Sequence, residues 1–245
     1  MIYPLLWLVA SSFKSNDTMF KNTYSLFAST AGYSFGHFFM NSAIVTVIGV
    51  VCTIFSFLLA AYAVSRVKFF GANFWFGCII MTMMIPAQVM VVPQYIILKK
   101  LHLNDTLLAM ILPWAFGGAF FVFLIVQYMR GIPKELDEAA MIDGCSKIGI
   151  LFKILVPVVQ PAIVSAAIFA FYWIWQDFFL PLIFVGSPKN YTIPLALNMY
   201  TDPNSYNNYG GLFAMSVISL LPVILVFIKF QKYLVEGIAT DGIKG

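Results

Sequence analysis

The chain has 245 residues, 61% of them hydrophobic and only 10% charged, with a net charge of +4 and a mean hydropathy of +0.90. An ordinary soluble domain carries about 25% charged residues, so this composition excludes one and requires an integral membrane protein. The small positive charge needs no nucleic-acid partner, because basic residues flanking membrane spans account for it.

In chain order, segment 2–13, IYPLLWLVASSF, is too short to cross a bilayer alone, which takes about 20 apolar residues as a helix. It reads as the outer end of a first span whose beginning is missing, making six spans in the intact protein. A cleaved signal peptide is the competing reading, against which stands the lack of a basic n-region. Full spans are expected at about 38–64, 73–97, 106–129, 158–184 and 211–230. These are continuous apolar blocks and not alternating strands of about ten residues, which excludes a β-barrel. The expected class is an all-α polytopic membrane protein with one transmembrane domain over 1–245.

Lysine and arginine set the orientation. With the first loop outside, nine of the fourteen fall on inside segments and five on outside ones. This puts segment 131–157 and the C-terminus in the cytoplasm. Cys52, Cys78 and Cys145 form no disulfide or metal framework, and His37 and His102 sit singly at span edges, where a structural role is expected.

Prolines interrupt the spans at Pro86, Pro93, Pro113, Pro181 and Pro222. Each frees a backbone carbonyl, tolerable at membrane depth only where protein or a watery cavity satisfies it. Polar side chains at Gln88, Gln176 and Asp177 also fall within or at the rim of apolar runs. A carboxylate such as Asp177 costs about 2.5 to 3.5 kcal/mol to insert, so it faces a partner or a cavity. Two readings stand for it, a functional group and a hydrogen bond that fixes the outer end of the bundle. Phe169, Phe171, Tyr172, Trp173 and Trp175 suit either stacking on sugar rings or plain packing and interfacial anchoring.

Catalytic patterns are missing. GCSKIG at 144–149 continues with Ile150 and so lacks the lysine and hydroxyl that follow the second glycine of a phosphate-binding loop, and no nucleophile elbow or metal-ligand spacing occurs. Active transport by such a chain draws on an ion gradient or on a separate subunit.

The segment KELDEAAMIDGCSKIGILFKILVP, residues 134–157, is acidic and small in the middle of an apolar chain. Pro133 suits a first helical turn, and Glu135, Asp137 and Glu138 oppose the positive end of the helix dipole. Gly144 offers a left-handed stop, and Ser146 a cap for a second short helix ending before Pro157. Leu136, Ala139, Ala140 and Asp143 share a helical face, on which alanines allow close approach of another protein and Glu138 can meet a basic rim. Ile148, Leu151 and Leu155 form a stripe expected to lie against the membrane ends of the spans.

EAAMIDGCSKIGILFKILVP resembles the EAA loop of binding-protein-dependent ABC importer permeases, whose pattern is E-A-A, three residues, G, nine residues, I-x-L-P. Glu138, Ala139, Ala140, Gly144, Ile154 and Pro157 match, with Val156 in place of leucine. IPKELDEAAMIDG, WQDFFLPLIFV, NYTIPLAL and QKYLVEGIATDGIKG extend the likeness to the maltose-type carbohydrate-uptake permeases over nearly the whole chain. The resemblance implies an ABC importer permease helix bundle in the bacterial cytoplasmic membrane. Glu138, Ala139, Ala140, Asp143 and Gly144 would dock a separate ATPase, which binds the ATP and Mg; this chain would bind no cofactor and be no enzyme. It further implies a second permease subunit, two ATPase subunits and an extracytoplasmic solute-binding protein. The tail from Gly237 would reach the ATPases, and the loop from Ser187 to Asn208 the binding protein. The implied cargo is a sugar or oligosaccharide, with Gln88, Tyr172, Trp173, Gln176 and Asp177 as translocation-path candidates. A permease for a polyol phosphate and a gradient-driven secondary transporter are the alternatives; the second would call for paired intramembrane charges and an inverted repeat, of which the chain offers only Asp177.

Overall fold

The computed structural model describes Val9, residues 33–199 and residues 209–239. Apart from Val9, the expected partial span at 2–13 lies outside these residues. So do positions 200–208 of the outer loop and the tail from 240.

Among the described residues every long element is helical. The helices are α1 (Phe35–Arg66), α2 (Ala72–Thr82), α3 (Ala87–Lys100), α4 (Leu107–Phe116), α5 (Ala119–Arg130) and α6 (Glu135–Ile142). After them come α7 (Lys147–Val158), α8 (Gln160–Trp175), α9 (Phe179–Phe184), α10 (Ile193–Met199) and α11 (Tyr209–Ala239). Among the described residues three stretches are long and apolar enough to cross a membrane: α1, Leu107–Arg130 and the Gly211–Tyr233 part of α11. Two bent pairs raise the number to five if each is one span.

The apolar stretch expected at 73–97 is one such pair, with α2 and α3 meeting at 101°. The break has a local cause, since Met83, Met84 and Ile85 close tight turns onto carbonyls three residues back and Pro86, which has no N–H, follows directly. The other pair is α7 and α8, bent by 80°, and the stretch expected at 158–184 is divided again where α8 ends at Trp175 and α9 restarts at Phe179. Between α4 and α5 the chain passes Gly117 and Gly118. A Cβ on Gly118 would lie 2.6 Å from the rings of both Phe57 and Phe121.

The chain divides into two compact units. One comprises the described residues up to Val47 with Pro93–Ile111 and Tyr172–Ile228; the other comprises Ile48–Val92, Leu112–Phe171 and the described residues from Lys229. In the first, Trp175 packs edge-on against Phe39 at 5.5 Å and donates Nε1–H to the Ser219 carbonyl at 3.0 Å. In the second, the Phe57 and Phe121 rings stack at 5.8 Å, and Arg130 lies over the Phe76 ring at 4.3 Å. Ala162, Ala166 and Ala170, spaced four apart on α8, are fully buried; small residues at that spacing let helix backbones approach closely.

Candidate functional site

The acidic segment folds as two helices joined at Gly144. The first begins at Glu135, two positions past Pro133, and its opening N–H groups from Asp137 and Glu138 bond the Lys134 carbonyl at 3.0 and 3.1 Å. Gly144 takes φ +81°, where any side chain would meet open space, so the backbone alone asks for glycine there. Ser146 Oγ then accepts from the Gly149 N–H at 3.1 Å and starts α7.

α7 does not stop before Pro157. It widens into a π turn over Leu151–Leu155 and runs on to Val158, because a wider turn relaxes the crowding that a proline ring imposes on the carbonyl four residues back. The residues that face inward differ from the expected stripe. Ile150, Leu151 and Leu155 are buried, whereas Ile148, expected on the inner stripe, is 70% exposed.

The docking candidates divide between two faces of α6. Ala140 is 5% exposed and packs in a small core with Ile150 and Leu155, bordered by Tyr62, Ile132, Cys145 and Ile154. Glu138, Ala139, Asp143 and Gly144 are open to solvent. Beside them Ile142 is 87% exposed, an apolar group at the tip that sequence reasoning passed over. The signal was its place between the alanines and the glycine, on the side away from the inward Ala140.

The segment after α9 is held by side chains distant in sequence. Asp105 Oδ1 accepts from the N–H groups of Gly186 and Ser187 at 3.0 and 2.8 Å, and its Oδ2 from the Ser187 hydroxyl. Asn190 Nδ2 donates to the Asp105 carbonyl at 2.6 Å. Asp105 itself adopts φ +57°, which aspartate tolerates better than most residues. Burial works to raise its pKa, but the hydrogen bonds led by the Ser187 hydroxyl outweigh it and hold the carboxyl below its ordinary value. Asn41 donates to the carbonyls of Lys189 and Tyr191 at 2.9 and 3.0 Å, and the Ile193 N–H donates to Ser42 Oγ at 2.8 Å. Residues 186–193 are thus fastened from α1 and from the turn before α4.

The translocation candidates fall into two groups. Gln88 is exposed on α3 in the second unit. Tyr172, Trp173, Gln176 and Asp177 lie together at the end of α8 in the first, with Tyr172 and Gln176 exposed and Trp173 half-buried. Asp177 Oδ1 accepts from the N–H groups of Phe179 and Leu180 at 3.0 and 3.2 Å. It caps α9 and restarts the helix after the break.

Comparison with known proteins decides the family. The model described as "Binding-protein-dependent transport system inner membrane component" matches residues 52–240. The chain belongs to this family. The permease is 38% identical to the probable ABC transporter permease protein YurM of Bacillus subtilis, over 99% of this chain and 84% of that relative. It is 33% identical to the arabinooligosaccharides transport system permease protein AraQ of Halalkalibacterium halodurans, over 100% of this chain and 91% of the relative. Among solved structures, a bacterial ABC transporter involved in the import of the acidic polysaccharide alginate matches with a TM-score of 0.81 at 22% identity, covering 95% of this chain and 90% of that one. At that identity the likeness establishes the fold. The permease is therefore an all-helical, multi-pass inner-membrane protein, a non-catalytic subunit of a binding-protein-dependent ABC importer.

Proposed function

We propose that this permease passes a sugar or oligosaccharide, delivered by an extracytoplasmic solute-binding protein, across the bacterial cytoplasmic membrane. It works beside a second permease subunit and two ATPase subunits that bind ATP and Mg. The cargo assignment is supported by the arabinooligosaccharide system to which AraQ belongs. The coupling assignment is carried by one observation: α6 leaves Glu138, Ala139, Ile142 and Asp143 uncovered around a glycine-made corner, while Ala140 and Asp137 tie its other side to the protein. An exposed apolar tip ringed by carboxylates fits a cleft with a basic rim.

In this reading segment 131–157 and the C-terminus are cytoplasmic, and residues from Ser187 face the binding protein. Residues 1–245 belong to a single permease domain. Tyr172, Trp173 and Gln176 offer aromatic and amide groups to the cargo, with Asp177 orienting α9 beside them, and Gln88 on α3 is a further cargo-path candidate in the other unit. The test is purification of the whole complex in liposomes, with ATP hydrolysis measured across oligosaccharides and a polyol phosphate presented by the cognate binding protein. Stimulation by a sugar that survives dissipation of ion gradients supports the proposal. Stimulation by the polyol phosphate alone, or uptake that collapses with the gradient, overturns it. Glu138→Lys and Gly144→Asp are expected to lose the ATPase on purification while membrane insertion persists.

A further inference from the structure

Arg66, the last residue of α1, has a side chain only 2% exposed. A guanidinium taken out of water is costly unless its donors are engaged. Nη1 donates to Asp137 Oδ2 at 3.2 Å, and Nη2 donates to the carbonyls of Met129 and of Ile132, the latter at 2.8 Å. One side chain therefore joins the end of α1, the end of α5 and the inner face of α6. One turn earlier on α1, Tyr62 donates its hydroxyl to the Lys147 carbonyl at 2.8 Å, at the start of α7. Both helices of the segment hang from the last turn of a single membrane helix.

Stability alone is a weak reason for this arrangement. A buried ion pair often contributes little beyond what an apolar pair of equal volume would, because desolvation offsets the attraction. Here the pair is also incomplete, since Arg66 Nε and Asp137 Oδ1 are buried without a hydrogen-bond partner. The apolar contacts of Ala140 with Ile150 and Leu155 already hold the segment against the protein. What the three directional bonds add is a fixed angle between α6 and α1. Lysine, with one compact ammonium, cannot reproduce a fork that reaches three acceptors on two elements.

We propose that Arg66 is the positioning residue of the docking helix. Through Asp137 it locks α6 to the end of α1, so that a displacement of the outer face of α6 reaches the membrane helix undiminished. Without it the turn at Gly131 to Pro133 would absorb the motion. This rests on the reading of α6 as the ATPase-docking element.

The test uses the full complex with its native cysteines replaced and nitroxide labels at Leu59→Cys on α1 and Met141→Cys on α6, both exposed positions of one unit. Label-to-label distance is measured without nucleotide and after trapping with ATP and vanadate. In the parent protein the distance is expected to change by less than about 2 Å, the size of ordinary helix shifts. With the apolar pair Arg66→Met/Asp137→Leu, and again with Arg66→Lys should that pair fail to purify, the distance moves beyond that limit on trapping. The ATPase subunits and the melting midpoint are retained, a combination that a merely structural role would not give. Uptake per ATP falls at least about fivefold, the lower end of ordinary couplings between sites. A parent distance that itself moves further than that limit, or a variant as rigid as the parent, overturns the proposal. Glu138→Lys measured alongside separates the two readings: if it keeps its ATPase, the docking assignment fails, and if it loses it while the Arg66 variants stay rigid, only the lock fails.

Discussion

Ser187 gives both its N–H and its hydroxyl to the carboxylate of Asp105, across 82 positions of sequence. This pair fastens the chain after α9 to the turn before α4, and it makes the fastening depend on a charge. Asp105 has a lowered pKa, so the stabilisation it supplies is fully present above the ordinary aspartate value of about 3.9. It is lost as pH falls below that value and through the lower folded one. Asp105→Asn is expected to melt below the parent at neutral pH, by about 1 kcal/mol after allowance for solvent screening. The gap should close under acid conditions. Melting of the detergent-solubilised protein against pH checks this, and a gap that widens in acid refutes it.

Gly118 stands where a methyl group would press on two buried rings, those of Phe57 and Phe121. Gly118→Ala is expected to destabilise the protein by about 1–3 kcal/mol through overpacking. Adding Phe57→Leu should recover part of the loss by vacating one contact. Equal melting of parent and Gly118→Ala would show that the rings move aside freely.

For Gly144 the obstacle is conformational and not steric, since a Cβ there meets nothing within 4 Å. Gly144→Ala should cost about 1 kcal/mol from the left-handed backbone, and Gly144→Asn less, because asparagine tolerates that region. The order of ATPase retention on purification is expected to be glycine, then asparagine, then alanine. An alanine variant that outperforms asparagine contradicts this.

At Asp177 the cap on α9 can be separated from any direct contact with cargo. Asp177→Ala is expected to lower stability by about 0.5–2 kcal/mol, and Asp177→Ser to retain most of it, as serine caps comparably. Uptake selectivity in the serine variant should match the parent. A serine variant of parental stability with altered selectivity would assign the carboxylate to the cargo path instead.

Much of the arrangement was legible along the chain. Runs without Asp, Glu, Lys or Arg located membrane helices, because a bilayer imposes the same length and polarity on any helix that crosses it. The spacing from Glu138 to Pro157 marked a two-helix corner, with Gly144 and Ser146 doing what their backbone and side-chain chemistry allows. Legibility stopped where the helical period was disturbed. The turns before Pro86 broke an apolar run into two helices at 101°, and a π turn over Leu151–Leu155 carried α7 on through Pro157.

The sequence by itself determined the membrane class, the polar corner and its family, since these follow from composition and from spacings within one or two turns of helix. Only the tertiary structure decided that Ala140 faces inward while Ile142 faces out, that Asp137 is paired with Arg66, and that Asp105 holds Ser187. The reason is physical: hydrophobic periodicity records which face of a helix avoids water, whereas a buried donor finds its acceptor by proximity in space, which no local pattern encodes.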